Sequence, residues 1–196
     1  MYLFKKRMKL YIKYMITGRC KALVQEELKK LGLQYVVLDY GVVDMPESIT
    51  KQQRALLSIN LRRSGLELLD NKQSRLIEKI EVVIINMIHR NGIIPKLGYA
   101  DYISAKLGHD YADLNNLFAE VKGMAIQQFI IIQKIDRIKE LLLYSQMSFK
   151  QIADKLRHSS VAHLSSQFRK VTGLSPSAYR QLNRRPADSG KYERDI

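Results

Sequence analysis

The chain has 196 residues, 46% of them hydrophobic, and its 33 Lys and Arg against 19 Asp and Glu leave a formal charge of +14. That length allows one or two domains with their own cores, and the charge suits a protein that meets a polyanion. The one cysteine, Cys20, excludes an internal disulfide and fits a reducing compartment, and no apolar run reaches the length of a signal peptide or a membrane span, so a cytoplasmic chain without membrane contact is expected.

From Met8 to Ile16, the apolar residues Met8, Leu10, Ile12, Tyr14 and Ile16 alternate with Lys9, Tyr11, Lys13 and Met15. This is the period of a strand with one buried face. Leu23, Val24, Leu28 and Leu31 then recur at helical spacing up to Gly32, which suits a helix end. Tyr35 to Asp39 is β-rich, Tyr40 and Gly41 form a plausible hairpin turn, and Val42 to Met45 returns as a strand. Thr50 with Gln53 is a capping box for a helix through Arg63 that Gly65 stops, and Leu66 to Leu69 supplies a fourth strand. The order β-α-β-β-α-β is the ferredoxin-like arrangement, assigned to residues 1–71.

The loop Met15, Ile16, Thr17, Gly18, Arg19, Cys20 between strand and helix resembles that of a heavy-metal-associated domain. That family places Met-x-Cys-x-x-Cys here, and two thiolates grip a soft ion. In this chain Thr17 stands at the first cysteine position, and a hydroxyl is a poor soft-metal ligand. No metal or other cofactor is therefore assigned, with Cys20 the weak candidate. Beside Arg19 at a helix start, Cys20 is also a candidate redox sensor.

Leu76, Ile77, Ile80, Val83, Ile84, Met87 and Ile88 draw one stripe down a helix from Gln73 to His89, which Asn91 and Gly92 end. The stripe covers barely two heptads, so packing on its own domain is preferred to a dimer seam. Helices follow over Tyr99 to Leu107, Tyr111 to Lys122 with Asp110 as cap and Gly123 as stop, and Ile126 to Tyr144. Ser148 with Gln151 caps a helix from Phe149 to Leu156, Ser159 or Ser160 caps the next to about Val171, and Ser175 with Pro176 opens the last. Residues 184–196 lack any apolar period and read as a mobile tail, in which Arg184 and Arg185 are free to touch phosphate.

Within this half lies a duplication. Ile103, Lys106, Leu107 and His109 return as Ile152, Lys155, Leu156 and His158, and Leu114, Phe118, Val121 and Gly123 return as Leu164, Phe168, Val171 and Gly173. Each copy is a short helix, a tight turn, a second helix and a glycine, the layout of a helix-turn-helix. Their charges differ: residues 141–187 hold 8 basic side chains against Asp154 alone, whereas residues 91–140 hold 6 of each sign. Concentration of positive charge on the second copy points to nucleic acid.

Residues 73–183 resemble the DNA-binding domain of the AraC/XylS family of bacterial transcription regulators. The resemblance is carried by Ile152, Ala153, Leu156, Ser159, Ser160, Leu164, Phe168, Arg169, Lys170, Thr172, Gly173, Leu174, Ser175, Pro176, Tyr179 and Arg180, with Ile138 to Leu142 on the connecting helix. It implies an all-α seven-helix domain over residues 72–183 with two helix-turn-helix units. Nineteen helical residues between them span about 28 Å, close to the roughly 34 Å between successive major grooves on one DNA face. The implied partner is double-stranded promoter or operator DNA, and RNA polymerase and a second copy of the chain stay open as partners.

Helical phase selects the contact residues. Val161, Leu164, Phe168 and Val171 define the buried side of the second recognition helix, leaving Ser159, Ser160, Ala162, His163, Ser166, Gln167, Arg169 and Lys170 outward, with Arg157 and His158 in the turn before it. Ala162, His163, Ser166 and Gln167 are candidates for base edges, and Arg169 and Lys170 for phosphate. The family's usual turn glycine with an aromatic residue is replaced by Arg157 and His158, its aromatic pair by His163 and Leu164, and its basic pair by Ser166 and Gln167. A base code is therefore not transferable. In the first recognition helix Asn115 and Asn116 are candidates for adenine, but Asp113 and Glu120 would repel phosphate, so the second unit, residues 148–173, is expected to dominate.

An enzyme is not expected. His89, His109, His158 and His163 form no metal-ligand pattern, and neither a phosphate-cradling glycine loop nor a nucleophile elbow is present. The competing class is a metal- or redox-responsive binding module acting through the N-terminal domain and Cys20.

Overall fold

β1 (Met8–Lys13) runs through the middle of a four-stranded sheet of order β2-β3-β1-β4, in a computed structural model that describes residues 8–89 and 98–183. The chain reaches that sheet through α1 (Gly18–Lys30), β2 (Val37–Asp39), β3 (Val42–Met45), α2 (Lys51–Arg63) and β4 (Glu67–Leu68). Every pairing is antiparallel: Leu10 faces Val43 across β1 and β3, Leu38 faces Val43 across β2 and β3, and Ile12 faces Leu68 across β1 and β4. Leu10, Ile12, Val43, Met45 and Leu68 from the sheet, Val24 and Leu28 from α1, and Leu57 and Leu61 from α2 share one buried cluster. Each helix is fixed at its start by a hydroxyl: Thr17 accepts from the Cys20 amide, and Thr50 forms the expected capping box with Gln53.

The remaining elements are helical: α3 (Asn71–His89), α4 (Tyr99–Leu107), α5 (Tyr111–Lys122), α6 (Ile126–Tyr144), α7 (Phe149–Lys155), α8 (Val161–Thr172) and α9 (Pro176–Leu182). None of the described helices is long and apolar enough to cross a membrane. The helix stop at Asn91 and Gly92, the loop at Pro95 and the tail with Arg184 and Arg185 lie outside the described residues.

Two compact units form, and they do not follow chain order. One joins residues 8–83 with 98–127, the other 84–89 with 128–183. In the first unit α5 packs against β1. This explains where the strand departs from simple alternation: Tyr11 is as fully buried as Leu10 and Ile12, because the second face of β1 is covered as well. Burial, with Glu81 and Glu78 nearby, raises the Tyr11 phenol above its ordinary range. The alternation also stops early. Tyr14 takes a left-handed φ of 65°, which ends β1 at Lys13, turns Met15 inward and leaves Tyr14 and Ile16 outside, the reverse of the sequence expectation.

Polar links surround that packing. The Tyr14 amide donates to the Glu120 carbonyl at 2.7 Å, Lys13 pairs with Glu120 at 3.1 Å, and Lys122 pairs with Glu81. Burial lowers the Lys13 pKa, but the hydrogen bond and charge of Glu120 outweigh it and leave it raised. Partly exposed pairs of this kind contribute at most about 1 kcal/mol each, whereas burying Phe118 or Val121 contributes about 2 kcal/mol. Apolar burial therefore holds α5 on the sheet, and the ion pairs fix its register. At the hairpin turn Gly41 has a φ of 68°, and a Cβ there would lie 1.7 Å from the Val121 carbonyl oxygen.

Gly41→Ala is expected to cost at least about 2 kcal/mol, a left-handed penalty plus a backbone collision. Gly65→Ala, also at positive φ but with open space around it, should cost only about 1 kcal/mol. Urea unfolding of the two variants checks this, and equal losses would refute the close approach of the hairpin to α5.

Candidate nucleic-acid interface

The second unit is built around α6. Ile130, Ile135, Ile138, Leu141 and Leu142 of this helix are buried, as are Ile152, Ala153 and Leu156 around α7 and Leu164 and Phe168 on α8. Phe168 meets the Tyr179 ring edge-on at 5.4 Å. Arg180 donates to the carbonyls of Leu142 (3.2 Å) and Met147 (2.9 Å) and lies over the Phe149 ring, which locks α9 beside α6 and α7. With Leu164 and Phe168 four residues apart and inward, the opposite face of α8 is set outward.

That outward face carries most of the expected residues. Ser159, Ser160, Ala162, His163, Ser166, Arg169 and Lys170 are exposed, Gln167 is half-buried, and Arg157 is exposed in the turn. Ser160, not Ser159, is the N-cap: its Oγ accepts from the His163 amide at 3.0 Å. Ser159 Oγ instead lies 3.1 Å from His163 Nδ1 and orients that ring. Val171, expected on the buried side, is 42% exposed, because α8 ends one residue later at Thr172 and Gly173 turns the chain away.

His158 does not lie on this face. It is 7% exposed, with Nε2 enclosed and without a hydrogen-bond partner among the described residues, and its ring meets His163 edge-on at 5.6 Å. Burial, with Lys134 and His163 nearby, pulls its pKa from 6.5 to about 4. Lys134, buried on α6, is pulled from 10.5 to about 8 by the same loss of solvent. The turn itself depends on the preceding residue: Arg157 has a φ of 50° where the first copy has Gly108 at 67°. A non-glycine residue pays about 1 kcal/mol for that conformation.

Sequence reasoning passed over Lys150 and Lys155, both exposed on α7. The first helix of a helix-turn-helix crosses the phosphate backbone, so the local charge excess was the signal that pointed to them. Acids of this unit are partly spent, Glu140 on Arg137 at 2.7 Å and Asp136 on Lys139 at 2.9 Å.

The first copy is arranged differently. Asp110 caps α5, and Asn115 Oδ1 accepts from the Ile126 amide at 3.0 Å, so Asn115 fixes the start of α6 instead of standing free. Asn116 is exposed, with Ala112 and Asp113 beside it. Glu120 and Lys122 are engaged by Lys13 and Glu81. At the other end of the first unit Cys20 is half-buried against the core, and the Thr17 hydroxyl lies 3.1 Å from its sulfur. These residues do not supply a two-thiolate soft-metal grip, because the first cysteine position is Thr17 and a hydroxyl is a poor soft-metal ligand.

Residues 103–182 match the family model described as a helix-turn-helix domain. The chain is 26% identical over 84 residues to the uncharacterized HTH-type transcriptional regulator YtdP of Bacillus subtilis (strain 168), covering 43% of this chain and 11% of that protein. It is 25% identical over 119 residues to the probable transcriptional regulator LumQ of Photobacterium leiognathi, covering 61% and 46%. It thus spans about a tenth and just under half of these curated relatives. Among solved structures it is similar to a transcriptional regulator of Chromobacterium violaceum described as AraC-type DNA-binding domain-containing, with TM-score 0.51, 20% identity, and coverage of 60% of this chain and 99% of that one. It is also similar to the C-terminal domain of AraT, a response regulator from Geobacillus stearothermophilus, with TM-score 0.50, 16% identity, and coverage of 62% and 93%. Both likenesses are of fold.

Because His158 is neutral when folded down to about pH 4 and takes up a proton near 6.5 when unfolded, its contribution is complete above pH 6.5 and is lost as pH falls through that window. Stability should fall by about 3 kcal/mol between pH 6.5 and 4 on this account. Denaturant melts across that range should show a flatter profile for His158→Leu than for the parent, and an unchanged profile would remove His158 as the source.

Proposed function

We propose that this chain is a sequence-specific DNA-binding transcription regulator of the AraC/XylS type in which the second helix-turn-helix, residues 148–173, supplies most of the affinity. The observation that carries this is the outward face of α8, where base-reading types (exposed His163 and Ser166, half-buried Gln167) precede two exposed cations (Arg169, Lys170) on a capped helix held by a buried frame. Helix N-termini and Arg or Lys favour phosphate, and Gln pairs bidentately with adenine. Lys150, Lys155 and Arg157 extend the cationic surface.

The first helix-turn-helix contributes little at the neighbouring groove. Its one lysine on α5, Lys122, is paired with Glu81, Asn115 is a helix cap, and Asp113 faces outward. Asn116 is its remaining reader. We read the β-α-β-β-α-β portion as a ferredoxin-like scaffold whose metal loop keeps one thiolate, Cys20, of the two a soft ion needs, and the functional DNA-binding domain as residues 72–183.

Binding to duplex promoter DNA should weaken steeply with salt, in proportion to the phosphates neutralised. Arg169→Ala should weaken binding to every sequence and flatten the log–log salt slope by about 1, whereas Gln167→Ala should shift sequence preference by about 1–3 kcal/mol at one position. Asn116→Ala should change affinity less than either. Salt-independent binding, or an Asn116 effect larger than that of Gln167, would overturn the assignment.

A further inference from the structure

The first unit carries a second cationic feature, away from both helix-turn-helix copies in sequence. Lys51, Arg54, Ser58 and Arg62 recur along α2 at intervals of three and four, so they share one face of the helix. That face borders β4 and the residues after it, and together they form an open groove of about 440 Å³ lined by Lys51, Arg54, Ala55, Ser58, Arg62, Leu68, Leu69 and Asp70. The volume lies in the range of small-ligand sites, roughly 300–1,000 Å³.

We propose that this groove binds a small phosphate monoester bearing an apolar substituent. Three cations and a hydroxyl exceed what a single carboxylate neutralises and match the charge and oxygen count of a dianionic phosphate. Arg54 is already oriented, because its guanidinium donates to the Leu69 carbonyl from within the wall of the groove. The one acid present, Asp70, is turned to another use: its Oδ1 accepts from the Gln73 amide at 2.7 Å and caps α3. Ala55, exposed on α2, and the edge of Leu68 give the groove apolar surface above the buried Leu69, which inorganic phosphate leaves unused and a hydrocarbon substituent covers. Arg62 and Lys51 are exposed, free to close on an incoming anion, and frame the groove about 16 Å apart along the helix.

Calorimetric titration of the full chain with phenyl phosphate tests the proposal. One molecule per chain should bind saturably, at least tenfold more tightly than inorganic phosphate, and Arg62→Ala and Lys51→Ala should each weaken it at least tenfold while leaving the thermal melt unchanged. Arg169→Ala should leave it untouched, so the DNA reading and this one fail separately. No saturation, equal affinity for inorganic phosphate, or indifference to Arg62→Ala would overturn it. So would a groove that ignores phenyl phosphate but whose two variants weaken duplex DNA binding, since that result identifies a contact to a phosphodiester backbone.

Discussion

Burial of β1 on both faces governs the first unit. A strand covered on one side by α1 and α2 would leave Tyr11 in water; with α5 on the other side, Tyr11, Phe118 and Val121 are all removed from solvent. The consequence reaches beyond stability. Once α5 is seated there, its C-terminal turn is committed: the Glu120 carbonyl and carboxylate serve Tyr14 and Lys13, Val121 meets the hairpin at Gly41, and Lys122 is held by Glu81. A helix whose end is built into a sheet has fewer side chains left to present to a partner.

The two copies of the duplicated motif therefore keep one frame and differ in which side chains they leave exposed. The frame is what burial enforces, with Leu114 and Phe118 on α5 repeated by Leu164 and Phe168 on α8, all buried. The differences lie where side chains have a choice of partner. On α5 two of the polar side chains are engaged within the protein, Asn115 with α6 and Glu120 with β1, while Asp113 and Asn116 stay exposed. On α8 His163, Ser166, Arg169 and Lys170 are exposed. Charge follows the same division: the basic excess of residues 141–187 includes Arg169 and Lys170, both exposed on α8.

Local signals were the legible part of the sequence. The capping boxes at Thr50 and Ser148, the Asp110 cap, the stops at Gly32, Gly65, Gly123 and Gly173, and the element order around the sheet all depend on a few adjacent residues, and all are found in the structure. What escaped needed knowledge of a distant partner. Alternation over Met8 to Ile16 assumed one wet face, but α5, some hundred residues later, covers Tyr11. Asn115 looked like a reader because its acceptor role for Ile126 is invisible until α6 is placed. His158 looked outward because turn residues usually are, whereas its ring fills the space beneath His163.

That last misreading bears on how α8 is held. A glycine in the turn, as at Gly108, enters the left-handed region freely; Arg157 does so at a cost. Next to that turn His158 is buried with its ring edge-on to His163, whose own ring is held at Ser159, while Ser160 caps the helix. Turn strain, buried imidazole and helix cap thus converge on the first turn of α8. The group these contacts constrain is His163; the first copy has a helix cap of its own at Asp110, but with glycine in its turn and His109 exposed it has no buried imidazole beneath the recognition helix.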